Sequence, residues 1–269
     1  MLNNFRIGFG AAQAFIDAGA IVTVISSNQD NVNDAIKRLA SPHASGKVGN
    51  VRDEESFVEV LRSIAPVDHI VFSGVDLIIR GKLEELDLDN AKHLFGVKFW
   101  GALLIGKGLS RHLLLFCDNK LTEKAAAKYD LIKPGGSLTL TSGGAAYKPG
   151  KGAAAGGALN GGVLSLTKGL AGDLVEKKIR VNVVVPGLVK SELWTKLGKT
   201  KEQQEEQFSN TKLPVGFVAT PDDIAEAYLY LVKADYATGT AVDIGEVSSF
   251  MRLGRMLTYS RWWCSTVLK

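Results

Sequence analysis

The sequence predicts an α/β fold, a doubly wound parallel sheet with helices on both faces, in one domain over residues 1–245. Three observations carry this. Short apolar runs alternate with longer amphipathic stretches, the pattern of successive βαβ units. Several runs, RVNVVV at 180–185 above all, are continuous in Val and Ile, as strands covered on both faces are. The 269 residues, 46% hydrophobic and 22% charged, suit one large globular domain.

The apolar runs place strands at 20–25, 46–51, 69–72, 137–141, 180–185 and 240–244. Amphipathic stretches place helices at 8–18, 31–39, 54–64, 89–108 and 153–176. A further helix starts at Thr220, which can cap it, with Pro221 at the first helical position and Asp222 and Asp223 facing the positive end of the dipole. Two segments fall outside this alternation. Residues 109–124 (LSRHLLLFCDNKLTEK) lack clean periodicity and read as an insertion, since deleting them leaves a direct helix-to-strand connection. The tail 246–269 is basic and aromatic and follows the last strand. Each is either a lid or interaction surface, or a product of faulty exon assignment, and both readings stand.

Composition excludes several function classes. The net charge is +4 and no Lys/Arg block is dense enough for a nucleic-acid groove. Two cysteines, Cys117 and Cys264, are too few for a disulfide framework. No apolar run has the length of a signal peptide core or a membrane span, so the expected location is the cytoplasm. His43, His69, His93 and His112 show no ligand spacing, and no metal is expected.

The run Ile7-Gly8-Phe9-Gly10 through Ala18-Gly19-Ala20, and above all Arg180-Val-Asn-Val-Val-Val-Pro186-Gly187, resemble the short-chain dehydrogenase/reductase family, whose domain is Rossmann-like. The likeness covers about residues 6–244, apart from 109–124. The family's first strand leads into a G-x-x-x-G-x-G turn whose backbone meets a pyrophosphate at a helix N-terminus. Here Gly8 takes the third glycine, Arg6 the second and Leu2 the first, and the first strand is missing. A gap in mid-sheet is therefore expected, with a truncated start as the simplest reading.

The resemblance implies a nicotinamide cofactor, held by Ile7 and Gly8 at the turn, Ser26, Ser27 and Asn28 after the second strand, Asn50 after the third, Ser73 and Gly74 after the fourth, and Val189 and Ser191 after Pro186-Gly187. An acid after the second strand would bind a ribose 2′-hydroxyl and repel a 2′-phosphate. Ser26-Ser27-Asn28 contains none, which favours NADP.

The family's chemistry uses a serine, a tyrosine, a lysine one helical turn later and an asparagine on the long helix. Ser142 falls on the serine, Gly156 on the tyrosine, Asn160 on the lysine and Lys98 on the asparagine. Ser142, Lys98 and Asn160 are thus the catalytic candidates. Tyr147 and Lys151 also read Tyr-x-x-x-Lys, but Pro149-Gly150 between them should prevent the helix that gives this spacing meaning. Trp194, after Pro186-Gly187, either lines the substrate pocket or packs the flap helix. The expected activity is NADP-dependent oxidation or reduction of a small organic molecule by a homo-oligomer, a dimer or tetramer, in secondary metabolism. The alternatives are a non-redox cyclase or a cofactor-binding pseudoenzyme on the same scaffold.

Overall fold

The computed structural model describes residues 6–75, 78–110, 131–191, 193–210, 213 and 215–245. Residues 111–130, which include most of the expected insertion, and the tail 246–269 lie outside the described residues.

Helix α1 (Ile7–Asp17) follows Arg6 directly and leads through Gly19 to strand β1 (Val22–Ser26). Helix α2 (Gln29–Leu39) is opened by Asn28, whose side chain accepts from the backbone N–H groups of Asp30 and Asn31. Strand β2 (Ala44–Val48) lies parallel to β1, with Val22 opposite Ala44 and Ser26 opposite Val48. It ends before the expected 46–51 strand does, because Gly49 N–H bonds Ser26 O and Asn50 then turns the chain by accepting from Arg52 N–H. Helix α3 (Glu54–Arg62), capped by Asp53, leads to strand β3 (Val67–Phe72).

The expected helix at 89–108 is three pieces: α4 (Leu88–Phe95), a π turn (Gly96–Gly101) and α5 (Ala102–Ser110). Glycines at both ends of the turn weaken the ordinary helical register there. Leu109 and Ser110, expected as the start of the insertion, end α5. Strand β4 (Ile132–Thr141) is followed by helix α6 (Ala154–Asp173), strand β5 (Arg180–Pro186), the short helices α7 (Leu193–Lys196) and α8 (Lys201–Asn210), helix α9 (Pro221–Lys233) and strand β6 (Ala241–Ile244). Helix α8 is not among the expected elements, because KEQQEEQFSN has no apolar stripe for periodicity to find.

The pairing is parallel throughout, in the orders β1-β2 and β3-β4-β5-β6. Among the described residues nothing pairs with the second edges of β1 and β3, so the sheet is in two parts where a mid-sheet gap was expected. Helices cover both faces. On one, α3, α5 and α6 pack Leu61, Ile105, Val163 and Leu170 on Leu138, Leu140, Val181 and Val183. On the other, α1 and α9 pack Ala11, Ile224, Tyr228 and Leu231 on Val184. Every residue of β5 is buried, as a continuous Val run requires.

Two of the contacts that hold α9 in place are made at its backbone carbonyls. A Cβ on Gly10 would lie 2.8 Å from Pro221 O, so a side chain there would push α1 off α9. Arg180, on the first residue of β5, donates to Leu231 O and Val232 O at 2.8 and 2.9 Å, closing the C-terminal carbonyls of α9. At its other end, the Asp223 carboxylate accepts from both the backbone N–H and the hydroxyl of Thr220, at 2.7 and 2.9 Å.

Candidate active site

In a parallel sheet all strands end on one edge, and ligands bind in the crevice beyond it. Ser142 sits at that edge, one residue past β4, buried and anchored by its N–H to Val184 O at 2.9 Å. Its hydroxyl donates to Asn160 O at 2.8 Å. Asn160 lies on α6, where its amide donates to Gly156 O, one turn earlier, at 2.7 Å. That bond turns the Asn160 carbonyl oxygen toward Lys98.

Lys98 comes from the π turn. Its Nζ donates to Ser142 O at 2.9 Å and to Asn160 Oδ1 at 2.8 Å. Phe99 beside it packs against Phe95 and Trp100, and its ring fills the space a side chain at Gly162 would need, which seats the turn on α6. π turns are rare and recur at functional sites. Lys98 is half-buried, and burial of its ammonium lowers its pKa from 10.5 to about 8. The three catalytic candidates therefore form one closed set of hydrogen bonds.

Gly156 presents no side chain, and a Cβ built there meets nothing within 4 Å. Tyr147 follows the 3-10 turn Gly144–Ala146, off α6, so its spacing to Lys151 is not that of a helix face. Its hydroxyl donates to Asp243 Oδ1 at 3.0 Å, and burial together with that carboxylate pushes its pKa up to about 12. Both effects make it a poor proton donor.

The cofactor candidates fall along the same edge. Gly8 lies against Ser73, whose hydroxyl occupies the space a side chain at Gly8 would need. Ser26 ends β1, and Ser27 and Asn28 follow it in exposed positions at the start of α2. Asn28 spends its side-chain oxygen on capping α2, which leaves its NH2 as a donor. Asn50 spends its own on the turn before α3. Gly74 packs under Phe72 and Val97. Val189 is buried and bridges Ala219, and Ser191 O accepts from the Trp194 backbone N–H. Trp194 is buried against Phe208, and its indole donates to Val189 O at 2.8 Å, so it holds the backbone after Pro186 instead of lining open space.

Sequence reasoning passed over Arg6 as a functional residue. Its guanidinium donates to Asn31 Oδ1 at 3.1 Å, so a positive charge stands at the start of α2 beside Ser27 and Asn28. The expectation that it falls on the turn's second glycine was the available signal. Among the described residues no cluster of His, Cys, Asp or Glu has the arrangement of a metal site.

A family profile described as an SDR-like Rossmann domain matches residues 3–250. The chain belongs to the short-chain dehydrogenase/reductase family. This places it among oxidoreductases. Within the family it is 30% identical over 254 residues to the short-chain dehydrogenase/reductase fsr5 of Gibberella fujikuroi, covering 88% of each chain. It is 28% identical to malC of Malbranchea aurantiaca over 88% of each chain. The solved structure of that protein, described as a reductase/Diels-Alderase, matches 89% of this chain and 90% of its own with a TM-score of 0.71. A small-chain dehydrogenase solved in complex with NADPH is 30% identical, covering 84% of this chain and 97% of its own at a TM-score of 0.64.

Proposed function

We propose that this family member is an NADP-dependent reductase of a carbonyl group on a small organic molecule, acting in secondary-metabolite biosynthesis in the cytoplasm as a homo-oligomer. The observation that carries the reading is the Lys98 ammonium held between Ser142 O and Asn160 Oδ1 at the sheet's C-terminal edge. A partly buried ammonium held by an amide and a carbonyl, without a carboxylate, is costly to keep, which is the signature of a functional site.

Ile7, Gly8, Ser73 and Gly74 would lie along the dinucleotide, with Asn50 near its adenine end and Val189 and Ser191 near its nicotinamide end. Ser26, Ser27 and Asn28 offer only neutral polar groups and Arg6 brings a cation, a set that suits a 2′-phosphate better than a bare ribose. The NADPH complex of a 30% identical relative agrees with this. When bound, a reduced nicotinamide supplies the hydride. The chain's own part is proton transfer. Two of the three Lys98 N–H bonds are used by protein acceptors. The third is the one to polarise the substrate oxygen and deliver its proton, and a pKa of about 8 suits a donor at neutral pH. Ser142 and Asn160 hold that ammonium in place.

A second reading, cyclisation in a shaped pocket, is favoured by the description of the malC structure as a reductase/Diels-Alderase and by the open space at Gly156. A panel of carbonyl compounds tests the first. Substrate-dependent loss of nicotinamide absorbance from NADPH is expected. Product formation without cofactor consumption would replace reduction by cyclisation.

A further inference from the structure

Residues 143–152 connect the end of β4 to α6 and hold four glycines in ten positions, so ordering them costs more backbone entropy than an ordinary loop would. The loop is nonetheless held on three sides. Against α6, a Cβ built on Gly143 would lie 3.2 Å from Asn160 Oδ1, and one built on Gly157 would lie 2.7 Å from Pro149 Cβ. At the far end Gly152, at φ +75, accepts from Gly81 N–H at 3.1 Å. Between these, the Tyr147 hydroxyl donates to Asp243 Oδ1 at 3.0 Å. We propose that Tyr147 is a positioning residue: its bond to Asp243 pins this loop as a wall of the substrate crevice beside Lys98 and Asn160.

The sheet gives the loop this place. β5 lies between β4 and β6, and Asp243 pairs with Val185, one residue before Pro186. Two strand spacings, about 10 Å, separate β4 from β6. A loop that leaves β4 and reaches Asp243 therefore crosses the end of β5, where the chain turns toward Val189 and Ser191. Val242 and Ile244 pack with the α1 and α9 cluster, so Asp243 between them points to the other face, which carries α6. Ser142, Asn160 and Lys98 are bonded to one another on that same face. Gly143 lies against Asn160 Oδ1, the atom that accepts from Lys98 Nζ. Pro149 lies against Gly157, next to the open space at Gly156. The loop thus starts on the group that holds the ammonium and passes beside the one open position of α6's first turn. Its packing contacts with α6 are tight, whereas the bond at Tyr147 joins two exposed groups and can open at small cost.

What the wall meets rests on the reductase reading, but the pin itself is tested without it. Trypsin cuts poorly at Lys148, which precedes Pro149, and can cut the loop after Lys151. Cleavage of the Lys151–Gly152 bond in the full-length chain is followed by mass spectrometry for wild type, Tyr147→Phe, Asp243→Leu, Asp243→Asn and the double variant Tyr147→Phe/Asp243→Leu. Tyr147→Phe and Asp243→Leu should each speed this cleavage by about five- to thirtyfold, the range for losing one hydrogen bond to a charged acceptor. The double should be no faster than the faster single, since directly contacting residues couple. Asp243→Asn keeps an accepting oxygen and should stay within about threefold of wild type. Acetic anhydride should label Lys98 several-fold faster in Tyr147→Phe than in wild type, because the wall beside it has loosened. With NADPH and cyclohexanone, Tyr147→Phe should raise KM by about three- to tenfold and leave kcat within about twofold, as expected of a group that binds without reacting. The proposal is overturned if Tyr147→Phe is cut at the wild-type rate, if Asp243→Asn is cut as fast as Asp243→Leu, if Lys98 labelling is unchanged, or if kcat falls at constant KM. If Asp243→Leu does not fold, Tyr147→Phe and Asp243→Asn decide. If cyclohexanone consumes no NADPH, proteolysis and Lys98 labelling still decide the pin, and the panel of carbonyl compounds decides the reductase reading separately.

Discussion

At the scale of single residues, Lys98 sits where stability and function oppose each other. Its lowered pKa means the folded chain releases a proton that the unfolded chain still holds between about pH 8 and 10.5. Stability from this group therefore rises with pH across that window, and below it the charged ammonium is carried at a cost. Lys98→Met should remove that slope, read as the difference from wild type in denaturant midpoint across the window. The same variant should lower turnover by about 10²- to 10⁴-fold, the usual contribution of a positioned acid. An unchanged rate would remove Lys98 from the chemistry. His69 acts in the same direction at lower pH. Burial first, and then the nearby Arg180, lower its pKa, so it is neutral in the folded chain at neutral pH. Its contribution is complete above its ordinary value of 6.5 and is lost as pH falls below that. His69→Gln should lose less stability than wild type between neutral and mildly acidic pH.

At the scale of elements, two helical glycines should respond oppositely to alanine. Gly10 on α1 faces Pro221 O, and a methyl there separates α1 from α9. Gly156 on α6 faces open space, and a methyl there costs nothing sterically. Gly10→Ala should lower the thermal midpoint, while Gly156→Ala should raise stability by about 0.5–1 kcal/mol through helix propensity. Arg180 is the other element-scale joint. Arg180→Met strands the carbonyls of Leu231 and Val232 at the end of α9, and each buried orphan costs about 1–3 kcal/mol. Chemical denaturation should find a loss of at least about 2 kcal/mol on that basis, with α9 exchanging amide hydrogens faster than α6.

At the scale of the molecule, the sheet's division into β1-β2 and β3-β6 makes cofactor binding a structural matter. The cofactor candidates come from both parts: Ser26, Ser27, Asn28 and Asn50 lie at or after the ends of β1 and β2, while Ser73, Gly74, Val189 and Ser191 follow β3 and β5. A dinucleotide spanning them bridges the two parts and should stabilise the fold beyond its local contacts. By mass action, NADPH at a hundred times its Kd adds about 2.7 kcal/mol. Its thermal shift should exceed that of NADH at equal concentration. A larger shift with NADH would contradict the reading of Ser26-Ser27-Asn28 and Arg6.

Periodicity and local chemistry carried the fold. The Val run of β5 could only be a covered strand, Thr220-Pro221-Asp222-Asp223 could only open a helix, and the glycine at 156 could not be an acid, because each of these is settled by a residue and its immediate neighbours. The candidate site was legible as a set of positions, Ser142, Lys98 and Asn160, but not as an arrangement. Lys98 meets residues 44 and 62 positions away, and Arg6 meets one 25 away. No spacing in the sequence encodes such meetings. They depend on how α5 and α6 cross the sheet and on a π turn whose register is set by packing around Phe99 and Gly162. The sequence by itself determined which residue types stand at positions 98, 142, 156 and 160. Only the tertiary structure decided that a lysine and an asparagine on separate helices would hold each other beside Ser142, because that contact is made by helices packing and not by neighbours along the chain.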